Sequence, residues 1–138
     1  MTKYFLETSV IINYLRGKKG AAELIEGLNG ELVSSYVCLS ELFEGIYRAK
    51  EEKEKLKKSV EDFFKGLNSI FGVDEDIAED FGEIREDLKQ KGKVIEDLDI
   101  LLAATCRAYG LIMVTENRKH FGRVKGLEIF SGGTNKDL

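Results

Sequence analysis

Residues 3–16, KYFLETSVIINYLR, constrain the fold more than any other stretch of the chain. Tyr4, Phe5 and Leu6 form an apolar run too short for a helix, and Glu7 ends it abruptly. Thr8 and Ser9 read as N-cap residues, after which Val10, Ile11, Tyr14 and Leu15 recur at helical spacing. The expected structure is a buried strand that stops at a carboxylate and passes directly into a helix. In an open parallel sheet the carboxyl ends of the strands form the edge where ligands bind. Glu7 is therefore a candidate site residue, although an acid in a helix's first turn is also what the macrodipole favours. Chemistry requires other carboxylates to converge on it.

The same alternation of short apolar runs and helical stripes continues. Residues 16–20 break the chain, residues 21–28 suit a short helix, and residues 31–34 a second strand, with Ser34 and Ser35 as cap candidates. A helical stripe through Val37, Leu39, Leu42, Phe43, Ile46 and Tyr47 contains Glu41. Residues 50–58 carry mixed charges at i,i+4 spacing, the pattern of a solvated helix face, and that helix runs on to Leu67. Residues 70–73 predict a third strand, 74–90 an amphipathic helix, 94–110 a further helix and 111–114 a fourth strand. A loop with one helical turn over 115–126 and a fifth strand over 127–130 complete the pattern. Strands that are apolar throughout, separated by helices, indicate a parallel sheet covered on both faces. The expectation is an α/β domain over residues 1–130 with about five parallel strands in a three-layer arrangement, followed by a flexible tail at 131–138.

Composition excludes several functions. At 138 residues the chain fits one domain with a real core. Twenty-five acidic residues against 21 basic ones give a net charge of -4, unlike a protein that coats duplex nucleic acid. Cys38 and Cys106 stand far apart with no CxxC and a single histidine, His120, which argues for reduced core thiols over zinc or a disulfide framework. No apolar run approaches the roughly 20 residues of a membrane span, and no signal-like segment opens the chain. A cytoplasmic protein without membrane contact is expected.

Neither a P-loop nor a dinucleotide fingerprint occurs, and no GxSxG is present. His120, in a loop rich in Arg and Lys, reads as a surface residue. Carboxylates remain. Glu7 follows strand one, Glu41 lies in the helix after strand two, Asp97 and Asp99 precede LLAA, and Asn117 follows strand four. Glu41 and Asp99 interrupt apolar stripes, where an unpaired charge is costly and a bound cation is the natural partner. Hard oxygen ligands suit Mg²⁺ or Mn²⁺, which neutralise a phosphate and activate water in phosphodiester displacement.

These motifs together resemble the PIN domain family, specifically the VapC-type toxins of toxin–antitoxin pairs. KYFLETSVIINYLRG resembles the family's opening strand, acid, Thr/Ser and helix; SSYVCLSELFEGI resembles its internal Glu segment; EDLDILLAATCRAYG and LIMVTENRKHFGRVKGLEIF resemble its closing motifs. The resemblance covers residues 3–130. It implies a metal-dependent endoribonuclease with Glu7, Glu41 and Asp99 holding Mg²⁺ or Mn²⁺ and Asp97 as a further acid. Asn117 would orient water or a ligand, with Thr8 and Thr115 supporting the site. Arg118, Lys119 and Arg123 would grip backbone phosphates, although an ordinary basic loop reads the same way. It further implies an RNA substrate, a homodimer and a VapB-like antitoxin whose C-terminal segment covers the acidic groove. Glu7 departs from the family's usual Asp, and its extra methylene displaces the carboxylate by about 1.5 Å.

Other readings stand beside this one. A PIN nuclease of RNA processing or DNA would carry the same motifs. A catalytically inactive PIN-like protein-binding module is compatible with Glu7. Asp97-Leu98-Asp99 superficially matches a DxD phosphatase motif, but it opens a helix where that motif should end a strand.

Overall fold

Phe5 and Leu6 are fully buried at the centre of a parallel sheet, and the chain is built outward from them. The structure, a computed structural model, describes residues 1–131. β1 (Lys3–Leu6) pairs on one side with β2 (Glu31–Ser35), which pairs with β3 (Ser69–Phe71); on its other side lies β4 (Ile112–Val114). The strand order is β3-β2-β1-β4, with Phe5 opposite Val33 on one side and Met113 on the other. All pairings are parallel. The carboxyl ends of the strands consequently share one edge, which carries Glu7, Ser35 and Thr115.

Helices connect the strands and cover both faces. α1 (Thr8–Leu15) and α2 (Lys19–Glu26) link β1 to β2, and α3 (Tyr36–Arg48) and α4 (Lys53–Lys65) link β2 to β3. α5 (Glu75–Lys91) and α6 (Asp97–Tyr109) form the crossover to β4 and α7 (Arg118–Phe121) follows it. Val10, Ile11, Ile100, Leu102 and Phe121 are buried against the sheet. Full burial of an apolar side chain of this size contributes roughly 1.5–3 kcal/mol, so the core outweighs any single surface interaction. Ser35 caps α3 by accepting from Val37 N at 3.0 Å, and Asp74 caps α5 by accepting from Ile77 N at 3.0 Å.

Two expectations are corrected. The N-cap of α1 is Glu7; Thr8 and Ser9 lie inside the first turn, and their hydroxyls serve other partners described below. Residues 127–130 do not form a full fifth strand. They make one parallel bridge, Met113 to Ile129, closed by Met113 N to Glu128 O at 2.9 Å and Phe130 N to Met113 O at 2.8 Å. β4 has only three residues, which leaves little edge for a further strand to follow. The tail expected at 131–138 lies outside the described residues beyond Ser131. Among the described residues no helix is long and apolar enough to cross a membrane.

Candidate active site

The order β3-β2-β1-β4 reverses direction between β1 and β4, and open α/β sheets bind ligands at that switch point. Glu7 sits there. Its N–H donates to Val114 O at 3.0 Å, extending the β1–β4 pairing by one residue and aiming the side chain off the sheet edge. The residue is 6% exposed. Its Oε1 accepts from Ser9 Oγ at 2.5 Å and from Thr115 Oγ1 at 2.5 Å, short bonds of the charge-assisted kind. Ser9 Oγ also accepts from Glu116 N at 3.0 Å, and Thr115 Oγ1 from Asn117 N at 2.9 Å, so the turn after β4 is folded around the Glu7 carboxylate.

Glu41 lies on the half-buried side of α3, and its Oε1 accepts from Thr8 Oγ1 at 2.6 Å. Asp99 lies in the first turn of α6, and its Oδ2 is 2.9 Å from His120 Nε2 on α7. The three acids thus share a pattern. One oxygen of each is tied by a neighbouring side chain, and the other takes no hydrogen bond from the described residues.

The neighbouring acids are felt at Glu41. Burial raises the Glu41 carboxyl above its ordinary pKa; the Thr8 hydrogen bond opposes that shift, and the charges of Asp99, Glu7 and Glu96 add to it. Beneath the acids lies Cys38, whose thiol burial pushes up to about 12, with Glu7 and Glu41 adding to the effect. The wall under the site is therefore a neutral, apolar one. Among the described residues no Lys or Arg pairs with Glu7 or Glu41. Nor do any three His, Cys, Asp or Glu side chains there converge closely enough to form a finished metal cage. The donor set nevertheless fits a hard divalent cation: carboxylates that repel one another, each with an oxygen to spare.

The remaining predicted residues divide. Thr8 and Thr115 donate to the acids as described. Asn117 is exposed at the N-terminal end of α7 and meets the cluster through its backbone N–H to Thr115. Asp97 faces away: its Oδ1 accepts from Arg85 Nε on α5 at 3.0 Å, and the pair is largely exposed. The neighbouring Glu96, at the N-cap of α6, is the acid whose charge reaches Glu41. Arg118 opens α7, and Lys119 and Arg123 are exposed on and just after it.

Sequence reasoning missed three participants. Ser9 donates to Glu7 Oε1 at the same 2.5 Å as Thr115, and the only hint is a hydroxyl two positions after the acid. Glu96, next to the expected Asp97, carries no signal of its own in the sequence, yet its charge is the one that reaches Glu41 while Asp97 pairs with Arg85. His120, read as a surface residue, instead has a side chain 24% exposed and engaged with Asp99, with its ring edge-on to Phe121. Its place beside a buried Phe was the available signal, since a buried Phe121 forces the preceding residues onto the protein.

Residues 4–127 match the model of the PIN domain family. The chain is 34% identical over 131 residues to ribonuclease VapC1 of Methanocaldococcus jannaschii, covering 94% of this chain and 88% of that protein. It is 33% identical over 130 residues to ribonuclease VapC2 of Haemophilus influenzae, covering 92% and 96%. Its fold is similar to that of a chain in the crystal structure of VapBC2 from Rickettsia felis bound to a DNA fragment from their promoter, with a TM-score of 0.86, 27% identity and coverage of 94% and 98%. PIN-domain ribonucleases in general depend on divalent metal ions. On the fold, the switch-point acids and these relatives together, the chain belongs to the PIN domain family, among its VapC ribonucleases.

Proposed function

We propose that the centre formed by Glu7, Glu41 and Asp99 hydrolyses RNA phosphodiester bonds as the active site of a VapC-type toxin, with Mg²⁺ or Mn²⁺ held by those three carboxylates. The observation that carries this reading is their shared pattern, one oxygen fixed by Thr8, Ser9, Thr115 or His120 and the other left over. Fixing one oxygen orients the other without neutralising it. A bound divalent ion supplies charge for the scissile phosphate and lowers the pKa of water.

The chain's own residues supply the rest. Glu96 adds negative charge beside Glu41 and is a better placed fourth acid than Asp97, which Arg85 holds. Asn117 stands at the open end of the site, where its side-chain amide can orient water or a phosphate oxygen. Arg118, Lys119 and Arg123 lie on the adjacent turn and suit backbone phosphates. Residues 1–130 make up the nuclease domain on this reading. The likeness to VapBC complexes supports a VapB-like antitoxin as partner, covering the acidic groove, and a homodimeric toxin working in the cytoplasm.

The test is cleavage of end-labelled RNA by the full chain with Mn²⁺, with EDTA, and by the Asp99→Asn variant, paired with calorimetric Mn²⁺ titration. Cleavage that needs Mn²⁺ and is lost together with Mn²⁺ binding in Asp99→Asn supports the reading. Metal-independent cleavage, or Mn²⁺ binding unchanged in Asp99→Asn, overturns the site.

A further inference from the structure

Glu7 has one oxygen to offer a cation and no more. A carboxylate oxygen carries two acceptor positions. Both positions on Glu7 Oε1 are taken, by Ser9 Oγ from the first turn of α1 and by Thr115 Oγ1 from the residue after β4, each at 2.5 Å. Glu7 and Thr115 are each 6% exposed, and the bond between them is buried, so water does not compete for that oxygen. The two hydroxyls are themselves held in place. Ser9 Oγ accepts from Glu116 N at 3.0 Å and Thr115 Oγ1 from Asn117 N at 2.9 Å. With its oxygen accepting from the backbone, each hydroxyl keeps its proton for Glu7.

The other two acids are restricted in the same sense. Thr8 Oγ1 donates to Glu41 Oε1 at 2.6 Å, and Thr8 is buried. His120 Nε2 lies 2.9 Å from Asp99 Oδ2, where an ionised carboxylate makes the ring the donor. Gripping a cation with both oxygens would cost Glu41 or Asp99 one charge-assisted hydrogen bond and Glu7 two. That cost falls unevenly on different ions. Ca²⁺ collects about six to eight oxygens at roughly 2.3–2.6 Å, and carboxylates that grip it with both oxygens help to reach that number. Mg²⁺ holds a tight octahedron at about 2.0–2.1 Å, filled by single oxygens and water.

We propose that Ser9 and Thr115, together with Thr8 and His120, set the metal specificity of the centre by confining each acid to a single coordinating oxygen, which disfavours Ca²⁺ against Mg²⁺ or Mn²⁺. The inference rests on the metal-centre reading and adds to it a selecting device made of the side chains that hold the acids. Glu7, Glu41 and Asp99 then supply three single oxygens and leave the rest of an octahedron to water and phosphate oxygens. A larger ion gains nothing from its preference for more ligands, since a second oxygen from any of the three comes only with a broken hydrogen bond. Selectivity of this kind lies in ligand number and flexibility, and both are fixed here by the donors on α1, β4 and α7.

The test is calorimetric titration of the full chain with Mn²⁺ and with Ca²⁺, repeated on Ser9→Ala and Thr8→Val. Thr105→Val is the control, because the Thr105 hydroxyl bonds Leu101 O in its own helix at 2.8 Å and touches no acid. The ratio of the two Kd values is the readout, since loss of orientation alone weakens both ions together. The unaltered chain is expected to bind Mn²⁺ at least about tenfold more tightly than Ca²⁺. That ratio should narrow by roughly tenfold in Ser9→Ala and in Thr8→Val, as for other groups that hold a metal's ligands, and stay unchanged in Thr105→Val. Thr8→Ser, which keeps the donor, should restore it. Ser9→Ala and Thr8→Val act on different acids, so if one of them does not fold the other decides. Ca²⁺ bound as tightly as Mn²⁺ by the unaltered chain overturns the proposal while leaving the metal centre in place. A ratio that does not narrow in a folded hydroxyl variant, or that narrows equally in Thr105→Val, does the same. Binding of neither ion by the unaltered chain overturns the proposal and the metal centre together.

Discussion

Thr8 Oγ1 donates to Glu41 Oε1 at 2.6 Å, joining the first turn of α1 to α3 across 33 positions of sequence. The bond lowers the Glu41 pKa against the larger effect of burial, so it offsets part of the cost of ionising this carboxylate. Thr8→Val removes the donor at nearly constant volume. We expect a stability loss of about 1–3 kcal/mol, in the range for hydrogen bonds to charged groups. Mn²⁺ affinity should fall by roughly tenfold, as for other groups that orient a ligand. Urea unfolding and calorimetry on the variant check both; an unchanged Mn²⁺ affinity would refute the orienting role.

Glu7 is held through one oxygen by Ser9 and Thr115. Shortening it moves the carboxylate back by about 1.5 Å, toward the position of the acid usual in the family. Glu7→Asp is expected to bind Mn²⁺ more tightly and to cleave RNA faster at limiting metal. Identical calorimetric affinities and identical rates in the two proteins would show that the longer acid is no handicap.

The raised Glu41 pKa sets a sign for stability in metal-free solution. The folded state holds this proton more tightly than the unfolded chain does. Its contribution is therefore present in full below the unfolded glutamate range and is lost as pH rises through the raised folded value. Glu41→Gln should melt a few degrees above the parent at neutral pH, with the gap closing as the solution is acidified. Paired thermal melts across the acid-to-neutral range in EDTA measure that difference; a gap that grows toward acid would reverse the assignment.

Cys38 and Cys106 are both buried, and burial pushes the Cys38 thiol up to about 12 and the Cys106 thiol well above its ordinary value. Neither forms appreciable thiolate near neutrality, and thiolate is the reactive species. Labelling by a disulfide reagent at mildly alkaline pH should then proceed no faster than unfolding. Rapid labelling of the native protein, with its circular dichroism unchanged, would contradict the burial.

Much of this site was legible because it rests on local contrasts. The run Tyr4-Phe5-Leu6 ending at Glu7 announces a strand end, and Glu41 and Asp99 announce themselves as charges within apolar stripes. Hydroxyl partners carry no such contrast. Thr8 and Ser9 are good cap residues in any sequence, and whether they serve their own helix or distant acids is decided by which strands lie beside β1. Glu96 and Asp97 are adjacent on a helix end, about 100° apart around its axis, so only one can face Glu41. Arg85, from a different helix, settles which by pairing with Asp97. The fifth strand failed for a related reason: its apolar residues are real, but the short β4 offers one pairing position, at Met113.

The bond between Thr115 and Glu7 spans 108 positions, because β4 docks beside the first strand made. A chain growing from its N-terminus carries Glu7 and Glu41 early, yet the Glu7 carboxylate lacks its Thr115 clamp, and Glu41 the nearby charge of Asp99, until residues beyond α6 have emerged and closed the sheet. Nascent and prematurely terminated chains therefore lack the assembled centre. For a protein that degrades RNA, the order of the strands is a safety catch: the site cannot exist until β4, the last strand among the described residues, has docked beside β1.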